Sequence, residues 1–414
     1  MSMKFLRYGF NGPLMIVSFL AVIQGCTFDV APSQWDQSAQ QSVIDSITRI
    51  DPPFEAKAGV NTITITGINF AEPPDSNIVY VSKFDGDKST VIADILSSSS
   101  SSITIYRPDV VSDSCMFVIV SSKARAVAQS GLYKIDPVLV KYGAFLDNKP
   151  LGVVAGDKNE NIYVVYSLDR TIYKVAPTGQ KTQLKTLAKF QPFGGKIGPD
   201  GKLYLMENKG SIDVVDVQKD TSSLLRVGPN VKCGDFDSQG NLFTAGNATD
   251  LVIVAPDGTA KRPGYFLPDV ILDIRVFGDY VYIVDSTKNP SATGSFKSIQ
   301  RCKIDYTNHT AGAPEMVIDW STTGEYSSRS ITGLTFSSDG KMYVATNSED
   351  PILIVDLNTK HASILYKKIL PSYCKQVFWG IGTSFYIITG NAASPALDWT
   401  LYRIDAGFNG APFY

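Results

Sequence analysis

The chain has 414 residues, 44% apolar and 19% charged, a balance that fits a globular protein with a sizeable core and excludes disorder throughout. Its 38 basic and 40 acidic side chains are interspersed, so no Lys/Arg block forms the electrostatic footprint that nucleic acid requires. Only two histidines, His309 and His361, are present, which leaves little of the usual neutral-pH acid–base chemistry and weighs against many hydrolase mechanisms.

Lys4 and Arg7 precede an apolar run from Pro13 to Ile23, which ends in Ile23-Gln24-Gly25-Cys26. A basic start, an apolar core too short to span a bilayer and a small residue before the junction are the parts of a secretory signal. The segment 1–26 resembles a bacterial lipoprotein signal, which implies that Cys26 is acylated and anchors the mature chain to a membrane. An ordinary cleaved signal or a short anchor is the alternative, and either reading exports the chain. Thr27 in place of Asp after the cysteine implies, by the same resemblance, sorting to the outer membrane or cell surface. Residues 27–45 are rich in Ser, Gln and Asp and read as a flexible tether.

From Ser46 to Pro137, short β-rich runs at 47–50, 62–66, 78–81, 103–106 and 116–120 alternate with Pro, Gly, Asp and Ser clusters, as in a small antiparallel sandwich. Ile50-Asp51-Pro52-Pro53, Gly59, Thr62 to Thr66 and Gly67-Ile68-Asn69-Phe70 resemble the IPT/TIG immunoglobulin-like family. That resemblance implies a spacer or interaction module and no catalysis.

Residues 138–414 repeat themselves. A turn and a following strand recur six times, placing aromatic residues at Tyr163, Tyr204, Phe243, Tyr282, Tyr343 and Tyr386. The spacing is roughly 40 residues, the period of a propeller blade, except between Tyr282 and Tyr343, where an insertion is expected at 286–298. The Asp-Gly and Asp-x-x-Gly turns suit tight hairpins in which Gly supplies a positive φ. The stretch Asn161 to Gly179 resembles an NHL repeat. The last blade lacks a fourth strand of its own, and Val138 to Tyr142 is predicted to supply it. The expected fold is therefore all-β, an Ig-like sandwich followed by a six-bladed β-propeller.

Propellers bind ligands at the mouth of the central channel. Aligning the inner strands gives a row Val153, Lys196, Cys233, Arg275, Thr335 and Trp379, which strand alternation is expected to turn toward the channel, with Asp235 and Asp273 on the same face. Lys196, Arg275, Trp379, Asp235 and Asp273 are the candidate ligand residues: two cations beside an indole suit an acidic or sugar-like ligand. The alternative is that these charges pair with one another as channel filler. Bends after the second strands add Glu207, Asn208, Asn247, Asp285, Asn347 and Asn391, which exposed bends favour in any case.

No nucleophile elbow, phosphate loop or metal-ligand spacing appears, so no catalytic residue, metal or cofactor is expected. Cys115, Cys233, Cys302 and Cys374 read as buried strand cysteines, with disulfides permitted by export. The whole resembles surface lipoproteins of Gram-negative bacteria that work beside polysaccharide-uptake systems, which implies a non-catalytic module recognising a glycan or an envelope protein. Two alternatives stay open. One is a metal-dependent hydrolase resembling the gluconolactonase group, with Asn347, Asp285 and Asp273 as oxygen ligands. The other is a structural envelope scaffold.

Overall fold

The computed structural model describes residues 47–122, 127–146, 148–187, 191–267, 269–287, 296–390 and 399–412. Cys26, the signal and the tether lie outside them, as do Asn391 and most of the expected insertion in the fourth blade. Among the described residues there is no α-helix, and no helix is long and apolar enough to cross a membrane.

The chain first builds two sheets. One is ordered Ile47–Asp51, Thr62–Gly67, Ser102–Tyr106, Ile95–Ser98. The other runs Glu55–Ala56, Tyr133–Ile135, Ser112–Ser121, Asn77–Lys83, Thr90–Ala93, with Ala128–Gln129 also paired to Ser112–Ser121. Alternation along each strand buries one face: Ile63 and Ile65, Val79 and Val81, Ile103 and Ile105, and Phe117 and Ile119 meet in one apolar core. The guanidinium of Arg107 closes one end of this core by donating to the carbonyls of Lys57 (2.8 Å), Ala56 (3.1 Å) and Asp136. A buried charge held this way keeps its donors satisfied.

Six further units follow, each starting from an inner strand: Leu151–Gly156, Gly194–Ile197, the second half of Thr221–Phe236, Val270–Phe277, Ile331–Phe336 and Cys374–Trp379; each has four strands except the fourth, where Thr310–Ala311 and Glu315–Asp319 both pair with Phe296–Asp305. Each inner strand packs beside the next and the sixth returns to the first, so the units close as the blades of a propeller. The outer strand of blade 2 runs without a break into the inner strand of blade 3 through Thr221–Phe236. An Asp side chain shapes the first hairpin turn in blades 1 and 3. In blade 3, Asp237 Oδ1 accepts from the N–H groups of Gln239 (2.9 Å) and Asn241 (2.8 Å), while Gly240 takes φ +82°.

Closure is by an N-terminal strand. Leu139–Lys141 pairs antiparallel with Thr400–Asp405, Leu139 opposite Ile404, and completes blade 6 as its fourth strand. This removes the open edge that an incomplete last blade would leave. Six apolar clusters fill the six seams; between blades 1 and 2, for example, Val153 and Ala155 meet Leu203 and Leu205.

The two-sheet unit and the propeller are joined around Tyr366. Its hydroxyl accepts from Gly59 N–H (2.7 Å) and donates to the Asp405 carbonyl (2.7 Å), and its N–H donates to Asn61 Oδ1 (3.0 Å). The backbone of Gly407 lies so close that a Cβ there would stand 2.3 Å from Gly59 N. Lys368 pairs with Asp94 across the same junction (2.6 Å).

Candidate functional site

A propeller blade turns its two faces toward its two neighbours, so the alternating side chains of an inner strand enter the seams on either side. Val153 packs toward blade 2 and Val154 toward blade 6. The channel is lined by strand edges instead. The expectation that one alternating set points into the channel is thus corrected: Val153, Cys233 and Trp379 lie in seam clusters.

What reaches the channel is set by β-bulges. In five inner strands the register slips by one residue, at Leu151/Val153, Val231/Cys233, Ile271/Asp273, Ile331/Gly333 and Cys374/Gln376. The extra residues are Gly152, Lys232, Leu272, Thr332 and Lys375. A bulge re-aims the side chain it adds. Four of these five line a cavity of about 170 Å³ at the channel mouth, to which all six blades contribute. Phe193, 46% exposed, stands at the same rim.

The charges divide into a paired floor and a rim that has no carboxylate partner among the described residues. Lys196 Nζ lies 3.3 Å from Asp235 Oδ1, and Arg275 Nη1 donates to Asp235 Oδ2, which also accepts from Val276 N–H (2.9 Å). Burial opposes ionisation of Asp235, but Arg275 and Lys196 prevail and hold its carboxyl below the ordinary range. Burial lowers the Lys196 ammonium despite Asp235. Arg275 and Asp235 are each 3% exposed, and neither lines the cavity.

Asp273 forms part of the wall. Its Oδ2 accepts from Leu334 N–H on blade 5 (2.8 Å), and burial pushes its carboxyl up to about 6 against that hydrogen bond. Gln376 works alike between blades 6 and 1, its Oε1 accepting from Val154 N–H (3.1 Å) and its Nε2 donating to the Phe193 carbonyl. Asp235, Asp273 and Gln376 thus each satisfy a backbone N–H of the neighbouring inner strand. That is a structural duty that any inner edge, unpaired on its channel side, imposes.

At the rim, Lys375 Nζ donates to the Leu151 carbonyl (2.9 Å) and sits 4.7 Å from the Trp399 ring, and Lys232 Nζ sits 5.3 Å from the Phe193 ring. Burial lowers both ammoniums, that of Lys375 to about 8. Among the described residues no carboxylate lies within ion-pair distance of either one.

The remaining sequence candidates fall elsewhere. Trp379 is 1% exposed, donates to the Gly382 carbonyl (3.1 Å) and is covered by the C-terminal tail: a Cβ on Gly410 would stand 2.2 Å from its ring. It offers no face to a channel ligand. Thr335 is also buried. Glu207 and Asp285 are buried acids, raised by desolvation to about 8 and about 7, Glu207 with Asp213 beside it and Asp285 accepting from Gln300 Nε2 (3.0 Å). Asn347 Oδ1 accepts from Ser330 N–H (3.1 Å), and Asn247 forms an isolated bridge to Val270. Among the described residues, no three His, Cys, Asp or Glu side chains converge as a metal site would require. Lys232, Lys375, Gln376 and Phe193 escaped the sequence reading, because alternation alone gives no sign of a bulge.

No protein-family model matches the chain, and no curated protein matches it. Solved structures do resemble it. A protein of unknown function from Bacteroides thetaiotaomicron is 11% identical over 90% of this chain and 100% of its own, with a TM-score of 0.50. Luciferin-regenerating enzyme is 16% identical over 67% of this chain and 98% of its own, with a TM-score of 0.52. Regucalcin from Agrobacterium tumefaciens, a calcium-binding protein, is 15% identical over 66% and 96%, with a TM-score of 0.51. At such identities the likeness shows the fold alone, that of a β-propeller.

Proposed function

We propose that this chain is an exported lipoprotein, anchored through Cys26, whose propeller mouth recognises an extracellular glycan or an envelope partner without catalysing a reaction. The two-sheet unit, read as an IPT/TIG-type immunoglobulin-like domain over 46–137, acts as a stiff arm between the tether and the propeller. The observation that carries this reading is the pair of half-buried ammoniums, Lys232 and Lys375, facing one cavity with no carboxylate partner among the described residues. Desolvated charge without a counter-ion is costly to the folded protein, and an anionic ligand supplies the missing partner. Among the described residues, a hard cation would meet Lys196, Lys232 and Lys375 in the same cavity, against the single carboxylate of Asp273. This favours anion recognition over the metal-dependent hydrolase.

The test is a thermal-shift screen of the chain from about residue 42, against divalent metals with and without chelator and against a panel of neutral and acidic oligosaccharides. A ligand that binds only the folded state raises the melting temperature by mass action. A shift with an acidic saccharide that Lys232→Ala and Lys375→Ala abolish supports the proposal. A metal-dependent shift would replace it with the hydrolase reading, and the absence of any shift would favour the scaffold.

A further inference from the structure

We propose that the propeller mouth takes the end of an acidic saccharide, a single terminal uronic-acid residue, and not a stretch of glycan passing through the channel. This rests on the reading of the mouth as the recognition site, and it adds which part of the ligand enters and which group identifies it.

The first observation is that the channel is blind. Beneath the cavity, Lys196, Asp235 and Arg275 are joined across blades 2, 3 and 4. Beyond them the C-terminal tail is bonded to the ends of the inner strands of blades 5 and 6 and to Arg275 of blade 4, and so obstructs the way out. Ser338 N–H donates to the Asn409 carbonyl (2.8 Å), Gly410 N–H to the Gly382 carbonyl (2.9 Å) and Ala411 N–H to the Phe336 carbonyl (2.9 Å), while Arg275 Nη2 reaches the Pro412 carbonyl (3.5 Å). A polymer cannot thread a channel closed in this way, so only a chain end enters.

The second is size and lining. At about 170 Å³ the cavity falls below the roughly 300–1,000 Å³ of pockets that enclose drug-sized ligands, which limits the guest to one compact unit. Gly194, Gly195, Gly234 and Gly333 line it; a Cβ on Gly194 would stand 2.4 Å from the Lys232 carbonyl oxygen and one on Gly234 2.7 Å from that of Phe243, so these glycines let neighbouring strands close in around a wall of backbone edges. An inner strand is paired on one side only, and the channel-side N–H and C=O groups other than those taken by Asp235, Asp273, Gln376 and Lys375 suit a guest with both hydroxyl donors and acceptors.

The third is charge. Two ammoniums without carboxylate partners among the described residues define where an anionic group sits. Among the described residues Lys375 uses one of its three donors, on the Leu151 carbonyl, which leaves donors that suit a carboxylate. The exposed ring of Phe193 beside Lys232 gives the C–H face of a sugar a surface to lie on. A polyhydroxylated ring bearing one carboxylate meets all three conditions.

The test is calorimetric titration at pH 7 with three trisaccharides: one ending in glucuronate, one with glucose in that place, and one with the glucuronate held between two neutral sugars. The expected result is that the first binds at least about tenfold more tightly than the other two. Lys232→Ala and Lys375→Ala should each remove most of that advantage in variants that still melt in a cooperative transition, which shows that the loss is one of binding and not of folding. Equal binding of internal and terminal glucuronate overturns end recognition and leaves the mouth as the site. Equal binding of glucose and glucuronate ends overturns the acid requirement. Binding of none of the three overturns the proposal, and a different anionic class shifting the melting temperature through Lys232 and Lys375 would still uphold the mouth.

Discussion

Replacing Asp235 by Asn separates a structural role of the channel charges from a ligand-binding one. The amide is nearly isosteric and still accepts from Val276 N–H, so the change isolates charge. It leaves Arg275, 3% exposed, without its carboxylate partner, while Lys196 can turn toward the cavity that it lines. Removing one partner of a buried ion pair typically costs about 3–5 kcal/mol, because the surviving charge stays desolvated. For a cooperative unit of this size, about 2 °C is lost per kcal/mol, so the melting temperature should fall by roughly 6–10 °C at pH 7. The sign with pH follows from the lowered carboxyl of Asp235. Its stabilisation is present in full above the unfolded value near 3.9 and is lost as pH falls through the lower folded value, so the gap between variant and wild type should close only in acid. Adding Arg275→Met should restore most of the loss, since an apolar side chain has no charge to strand. Differential scanning fluorimetry with urea titration measures both. A drop below about 2 °C, or no recovery in the double variant, would refute the structural assignment and return Asp235 and Arg275 to the list of ligand groups.

Three further outcomes are expected. Affinity for an anionic ligand should fall as pH rises through about 8, where Lys375 loses its charge in the free protein, and Lys375→Ala should flatten that step in a binding titration from pH 6 to 9. Tyr366→Phe strips the hydroxyl that satisfies Gly59 N–H and the Asp405 carbonyl and should cost about 1–3 kcal/mol. Calorimetry should then resolve separate unfolding of the two-sheet unit and the propeller, whereas one unchanged transition would show that the junction lies elsewhere. Cys115, Cys233, Cys302 and Cys374 are buried free thiols raised by desolvation, Cys115 to about 11 and Cys302 to about 12. A thiol reagent at pH 8 should leave all four untouched until denaturant is added.

Much of the propeller was legible because its signals are local. Asp237 and Gly240 fix a turn, apolar runs follow at a constant interval, and the missing strand of blade 6 left Val138 to Tyr142 as the remaining segment able to close the ring. The site was harder to read for a geometrical reason. Alternation tells which residues share a face, but in a blade both faces meet neighbours, so Val153 and Val154 are both buried, on opposite sides. The channel receives strand edges and bulge residues, and a bulge such as that at Lys232 or Lys375 depends on partner-strand register, which periodicity does not encode. Asp235 and Asp273 were picked out for their charge, yet what holds them is the need of Val276 and Leu334 N–H groups for acceptors in the next blade. Trp379 was misplaced because the tail that covers it, around Gly410, belongs to no repeat.

The most direct test of the central claim is a crystal structure of the chain from about residue 42 with the glucuronate-ended trisaccharide. Density for one acidic sugar is expected in the mouth of the propeller, its carboxylate within hydrogen-bonding distance of Lys232 Nζ or Lys375 Nζ and its remaining sugars extending into solvent. Ligand density elsewhere on the chain, with these two ammoniums left unpartnered, would contradict it.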